Sequence, residues 1–245
     1  MNIFITGADS GLGRKLTQVF RLGGGHTVIG TTHENKLSHD PELMYFEADC
    51  GQEGIDRVRD SVVRQFGEPP EEGIDVLINN AGTNAICPFE ALTHEFIRHI
   101  MYVNFLSPVM LTQALLPWFK KPGIVVNIIS DAAWRPMRHS LAYNCSKAAF
   151  DMATRQMARE LTKPQNISII GVRPGKMAHT GMSDYINKRV QEVRGWSPQE
   201  AMDYFRANSV SGLELQPIDV AMFVHHIVTS GMARQLSGSC IDLVG

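Results

Sequence analysis

The sequence predicts an open, doubly wound α/β fold: a parallel sheet of about seven strands with helices on both faces. Three observations carry this. Short Val- and Ile-rich runs alternate with longer amphipathic segments, the rhythm of strand–helix–strand units. A glycine-bearing turn directly follows the first run. The 245 residues, 44% hydrophobic and 20% charged, suit one large domain spanning 1–245.

Strands are expected at 2–6, 26–31, 43–47, 74–79, 123–129, 167–172 and 239–243, most of them apolar enough to be buried on both faces. In the first helix Leu12, Leu16, Val19 and Phe20 share a face, and Gly23-Gly24-Gly25 ends it. Further helices are expected at about 51–66, 89–117, 140–162 and 217–230, with Ser140 capping the one at 140–162. The stretch 176–211 breaks the rhythm: it is polar, carries Trp196 and falls between the sixth and seventh strands. It reads as a substrate lid, or else as a surface excursion.

Composition narrows the function. A net charge of −2 gives no basic footprint for nucleic acid. No apolar run is read as reaching the roughly 18 residues of a membrane span. The N-terminus enters strand-like sequence at Asn2-Ile3-Phe4-Ile5, which does not resemble a cleavable signal. Cys50, Cys87, Cys145 and Cys240 are scattered without metal-ligand spacing, so reduced thiols in a cytoplasmic setting are expected, with no metal. The nine histidines are scattered too, and His225-His226 sits in an apolar helical stretch.

Chemistry concentrates in a few motifs. Thr6-Gly7-Ala8-Asp9-Ser10-Gly11-Leu12-Gly13 joins the first strand to the first helix. Its glycines let backbone N–H groups approach a diphosphate at a helix N-terminus. Asn79-Asn80-Ala81-Gly82 ends the fourth strand, with small residues for a close nucleotide approach and amides able to tie strands together. Asp49 ends the third strand, as a partner for an adenine amino group or as a helix cap. Tyr143 and Lys147 stand one helical turn apart on the same face. At about 4 Å and an effective dielectric near 20, such a pair interacts by roughly 4 kcal/mol. That would lower the phenol's pKa by about three units. Alone, the spacing is also the ordinary pattern of an amphipathic helix face.

Together the motifs TGADSGLG (6–13), NNAG (79–82), Asn104, Ser130, YNCSK (143–147) and RPGKMAHT (173–180) resemble the classical short-chain dehydrogenase/reductase family, in its order and across nearly the whole chain. The resemblance implies a Rossmann-type domain and an NAD(P)-dependent oxidoreductase interconverting a secondary alcohol and a ketone by hydride transfer. It implies Tyr143 as acid/base, Lys147 as the group that lowers its pKa and holds the nicotinamide ribose, Ser130 as the polariser of the substrate oxygen, and Asn104 as the anchor of a proton-relay water. For the cofactor it implies Gly7, Asp9, Ser10, Gly11, Leu12, Gly13, Thr32, His33, Asp49, Cys50, Asn80, Ala81 and Gly82. Tyr143, Lys147, Pro174, Gly175 and Thr180 complete that set. Substrate contacts are expected from Ser130, Tyr143 and Trp134, with Asn84, Phe89, Ala132, Met137, Trp196, Arg135 and Arg138 as further candidates. Alternatives are a dinucleotide-binding regulatory protein without turnover, and an isomerase or epimerase that retains its cofactor.

The cofactor choice stays open between NAD and NADP. Thr32 stands where an acid for the ribose is usual and His33 where an arginine for a 2′-phosphate would be, with Lys36 as a further cation. Asp9 would repel that phosphate. The resemblance also implies a homodimer or homotetramer through 89–117, 140–162 and the C-terminal strand.

Overall fold

The computed structural model describes residues 1–32, 45–47, 52–66 and 73–244. Seven parallel strands form one sheet: β1 (Asn2–Ile5), β2 (Thr27–Thr32), β3 (Tyr45–Glu47), β4 (Ile74–Asn79), β5 (Phe119–Ile128), β6 (Ile167–Pro174) and β7 (Cys240–Leu243). Their order is β3-β2-β1-β4-β5-β6-β7. The chain therefore reverses its direction of travel across the sheet between β1 and β4. A crevice opens there, outside the carboxyl ends of the strands.

Alternate residues of the central strands serve two cores. Ile3, Ile5, Val76, Ile78, Val126, Ile128, Ile170 and Val172 meet helices α1 (Gly11–Leu22) and α8 (Pro217–Thr229). Phe4, Leu77, Val125 and Ile169 meet α2 (Gln52–Phe66), α4 (Ser107–Leu115) and α5 (Leu141–Gln165). The period of two sends neighbours to opposite faces, so a strand buried on both sides must be apolar throughout. Gly23 closes α1, its N–H donating to the Val19 carbonyl, and Gly24 and Gly25 take positive φ, as their sequence implied.

A chain of buried amides ties the second set of helices to the sheet. Asn79 Nδ2 donates to Thr112 Oγ1 on α4 at 3.1 Å and to Asn127 Oδ1 on β5 at 2.8 Å. Asn127 Nδ2 donates to Thr154 Oγ1 on α5 at 2.9 Å. The two threonine hydroxyls donate to the carbonyls of Pro108 and Phe150, each at 2.7 Å.

Three elements depart from expectation. The stretch 89–117 is not one helix. A 3₁₀ turn at Phe89–Ala91 precedes α3 (His94–Met101), which starts where Thr93 accepts from the Phe96 N–H; a π turn at Tyr102–Leu106 then leads into α4. Pro108 explains the π turn: it has no N–H to continue the regular ladder, so the preceding turn widens. By length and composition His94–Trp118 is apolar enough to cross a membrane, contrary to expectation. Here Leu111, Leu115 and Trp118 are buried in the core beneath the sheet. Second, 176–211 contains α6 (Gly181–Arg194) and α7 (Pro198–Asn208). Thr180 accepts from Ser183 N–H, and Ser197 and Glu200 form a reciprocal capping box. Third, Ser140 makes no side-chain cap bond, although α5 begins after it, and α5 runs on to Gln165 before Asn166 ends it in a left-handed conformation.

Asn127→Ala removes the middle of the amide chain and leaves Asn79 and Thr154 short of partners in a dry interior. It should lower unfolding stability by about 2–3 kcal/mol, measured by urea denaturation; a change within error would show that the chain carries no net stability.

Candidate active site

The two loops at the crevice are fastened together. Thr6 Oγ1 accepts from the N–H groups of Asn80 and Ala81, both at 2.9 Å. Asn80 Nδ2 returns bonds to the carbonyls of Thr6 (2.9 Å) and Gly7 (3.2 Å). The glycines are obligatory. A Cβ on Gly13 would lie 1.8 Å from the Gly7 carbonyl oxygen, and Gly7 itself has φ +63°. Gly13 thus seats the helix against the turn from below, rather than lining the crevice.

That crevice is a cleft of about 1360 Å³. One end is walled by Gly7, Asp9, Ser10, Gly11, Leu12, Thr31 and Thr32, with Asn80, Ala81 and Gly82 alongside. At the other end it reaches Ser130, Tyr143, Lys147, Pro174, Gly175 and Thr180. A nicotinamide dinucleotide fits these residues. Ser10 makes no side-chain cap bond, so the first N–H groups of α1 are open to an anion. Gly82 has no Cβ, and one built there would lie 3.2 Å from Asn104 Oδ1 and 3.5 Å from Lys147 Nζ. His33, Lys36, Asp49 and Cys50 lie outside the described residues.

The reactive end depends on the first turns of α5. Tyr143 and Lys147 project from one face, and both are buried. Lys147 Nζ donates to the Ile128 carbonyl at 3.2 Å and lies 6.0 Å from the Tyr143 ring centroid. Ser130, two residues past the end of β5, donates to Asp131 Oδ1 at 3.1 Å and accepts from the Ala132 N–H. Asn144 holds the following loop: its Nδ2 donates to the carbonyls of Ala132 and Arg135, each at 2.7 Å. Ser146 bridges inward, donating to the Tyr143 carbonyl at 2.7 Å and accepting from Asn104 Nδ2 at 3.0 Å.

Burial reverses one expectation. It pushes the Tyr143 phenol up to about 12; hydrogen bonds with Ser130 and Asn84 draw it down, and the Asp131 charge adds to the rise. Burial also brings Lys147 down to about 8. The spacing alone predicts a net fall in the phenol's pKa; in this geometry desolvation outweighs what draws it down, and Nζ is turned to the Ile128 carbonyl. Asp131, too, is raised by burial, against the opposing effects of Ser130 and Arg135.

Other expected residues divide. Asn104 is buried outside the cleft lining, with its side chain committed: Oδ1 accepts from Thr83 N–H, and Nδ2 donates to Thr83 O and Ser146 Oγ. Trp134 is 56% exposed and its indole N–H donates to Asp242 Oδ1 at 3.1 Å, so it does not wall the cleft. Phe89 is exposed, Ala132 is buried behind Ser130, and Arg138 points elsewhere, its Nε donating to His139 Nε2. Asn84, Arg135, Met137 and Trp196 do line the cleft. Trp196 belongs to a group in 176–211 that the sequence did not assemble: its ring and Tyr204 are 4.9 Å apart, and the Arg194 guanidinium stacks 4.8 Å from Trp196. Among the described residues no cluster of His, Cys, Asp or Glu could hold a metal.

Comparison with known proteins agrees with this geometry. A family model described as short chain dehydrogenase matches residues 1–191. The chain is 29% identical to the short-chain dehydrogenase/reductase FrzI of Cladobotryum sp, over 98% of this chain and 93% of that protein. It is 30% identical to peroxisomal 2,4-dienoyl-CoA reductase of Rattus norvegicus, over 72% of this chain and 63% of that one. Among solved structures, a short chain dehydrogenase family protein from Francisella tularensis superposes with a TM-score of 0.86 at 23% identity, covering 99% of this chain and 96% of that one. 4-Hydroxyisoleucine dehydrogenase complexed with NADH gives 0.83 at 25% identity, covering 99% and 96%.

The Lys147 shift fixes a sign. Its folded pKa of about 8 lies below the ordinary 10.5, so between those values the unfolded chain binds more protons. Stability then rises with pH across that window. Lys147→Met should therefore be more stable than wild type at pH ~7 and lose that advantage above the unfolded pKa. Denaturant unfolding at both pH values checks this; a variant that is less stable at neutral pH would contradict it.

Proposed function

The chain belongs to the short-chain dehydrogenase family and is an NAD(P)-dependent oxidoreductase; from that premise we propose that it interconverts a secondary alcohol and a ketone, with Tyr143 as the proton-transfer group. The observation that carries this reading is the convergence of Ser130, Tyr143 and Lys147 in one cleft with the glycine turn. When bound, the nicotinamide supplies or accepts the hydride.

The chain's own residues do the rest. Gly7, Ser10, Gly11 and Leu12 receive the diphosphate at the start of α1, and Asn80, Ala81 and Gly82 form the floor beside it. Pro174, Gly175 and Thr180 border the nicotinamide end, next to Lys147. The Ser130 hydroxyl donates to the substrate oxygen in place of its bond to Asp131, holding that oxygen against Tyr143. Tyr143 then gives its phenolic proton to that oxygen on reduction and, as phenolate, takes it back on oxidation. Lys147 opposes the growing negative charge on the phenolate once that proton has gone. Because the amide of Asn104 is committed, we place its part in the proton relay on its main-chain carbonyl. The substrate lies under α6 and α7, against Met137, Trp196 and Tyr204, which together exclude water.

A phenol held near 12 is a proton donor throughout the neutral range. Ketone reduction should be flat with pH there, whereas alcohol oxidation should rise with pH, because it needs the phenolate. Tyr143→Phe should cost about 10²–10⁴-fold in turnover while leaving dinucleotide affinity nearly intact. Nicotinamide absorbance across a panel of ketones and secondary alcohols, with both dinucleotides, measures this. Unaffected turnover in the variant, or an oxidation rate that falls with pH, would sink the assignment.

A further inference from the structure

We infer that Asp9 makes this chain select NAD over NADP, by setting a carboxylate at the end of β2 where the adenosine ribose must lie. The inference rests on the dinucleotide reading of the cleft and names which dinucleotide it takes.

In doubly wound sheets of this kind, an acid about 20 residues beyond the glycine turn accepts from the ribose 2′-hydroxyl. Here the second strand ends in Thr31 and Thr32, neither of them acidic. The carboxylate comes instead from the glycine turn, which follows the neighbouring strand β1. Thr32 Oγ1 donates to Asp9 Oδ2 at 2.6 Å. Two further bonds hold the turn against the strand: Gly7 N–H to Thr31 Oγ1 at 3.1 Å, and Ala8 N–H to the Thr31 carbonyl at 2.9 Å. Asp9 is therefore a fixed, half-buried acid, and it lines the cleft together with Ser10, Thr31 and Thr32.

The chemistry discriminates in both directions. A carboxylate has two oxygens and about four acceptor sites, so the bond from Thr32 uses only part of its capacity. A ribose hydroxyl is a donor that it can accept from. A 2′-phosphate at the same place brings no donor and adds negative charge beside negative charge, in a crevice where solvent screens poorly. No lysine or arginine lies in the turn 6–13 or in β2 to offset that repulsion.

Equilibrium titration of the purified chain with NADH and with NADPH, followed by nicotinamide fluorescence, tests this without any substrate. NADH should bind at least about tenfold more tightly. Asp9→Asn keeps an acceptor for Thr32 and removes the charge; it should bring the two dissociation constants to within about threefold, mainly by strengthening NADPH. Asp9→Ser should collapse the ratio in the same way. Wild-type affinities that are equal, or that favour NADPH, would overturn the inference while leaving the proposed function standing. So would a ratio unchanged in both variants. Failure of wild type to bind either dinucleotide would overturn the proposed function, and this inference with it.

Discussion

The packing of Gly13 against the Gly7 carbonyl is the constraint from which the rest follows. With a Cβ only 1.8 Å from that oxygen, α1 could not approach the turn. Without that approach the loops after β1 and β4 could not meet. Thr6 and Asn80 then fasten those loops with four hydrogen bonds. The strand order supplies the site, because the chain switches sides between β1 and β4. The glycines supply the close approach, and the start of α1 supplies the positive end of a helix. Backbone makes most of this half of the cleft, so its chemistry depends on which side chains are missing.

The other half is made by side chains whose burial is compensated. Asn127, Asn79, Thr112 and Thr154 hold α4 and α5 at fixed depth beneath the sheet. That depth carries Tyr143 and Lys147 out of water. Desolvation raises one and lowers the other, so both neutral forms are favoured relative to free solution. A neutral phenol with Ser130 and Asn84 drawing on it is what the proposed proton donor requires. Asn144 and Ser146, between Tyr143 and Lys147 in sequence, hold the Ser130 loop and Asn104. The segment YNCSK therefore works as a unit in which only Cys145 faces outward.

Much of this was legible in the sequence, and the exceptions have physical reasons. Strands buried on both faces announce themselves as unbroken apolar runs, so their number and their places along the chain came through. The glycine turn, NNAG, Ser130, Tyr143 and Lys147 were legible because their chemistry needs fixed residue types at fixed places. Helices α6 and α7 were hidden by their mostly solvated faces, although Ser197-Pro198-Gln199-Glu200 carries a capping signal. The run 89–117 read as one helix because its apolar residues mask the break that Thr93 and Pro108 impose. Trp134 sits close to Ser130 in sequence, but Asp242, 108 residues away, captures its indole. Spacing gave the nearness of Tyr143 and Lys147 without their burial, and burial decides the direction of both shifts. The same limit applied to Asp9: its sequence showed an acid in the turn, and only the bond to Thr32 showed where that acid is held.

The central claim is that one continuous cleft, from the glycine turn to Tyr143, receives the dinucleotide. Amide hydrogen exchange with and without saturating NADH tests it most directly and needs no substrate. Protection should appear together at 6–13, 79–84 and 174–183, the segments that line the cleft from three different strand ends. Unchanged exchange in those segments, or protection confined to another surface, would contradict the account.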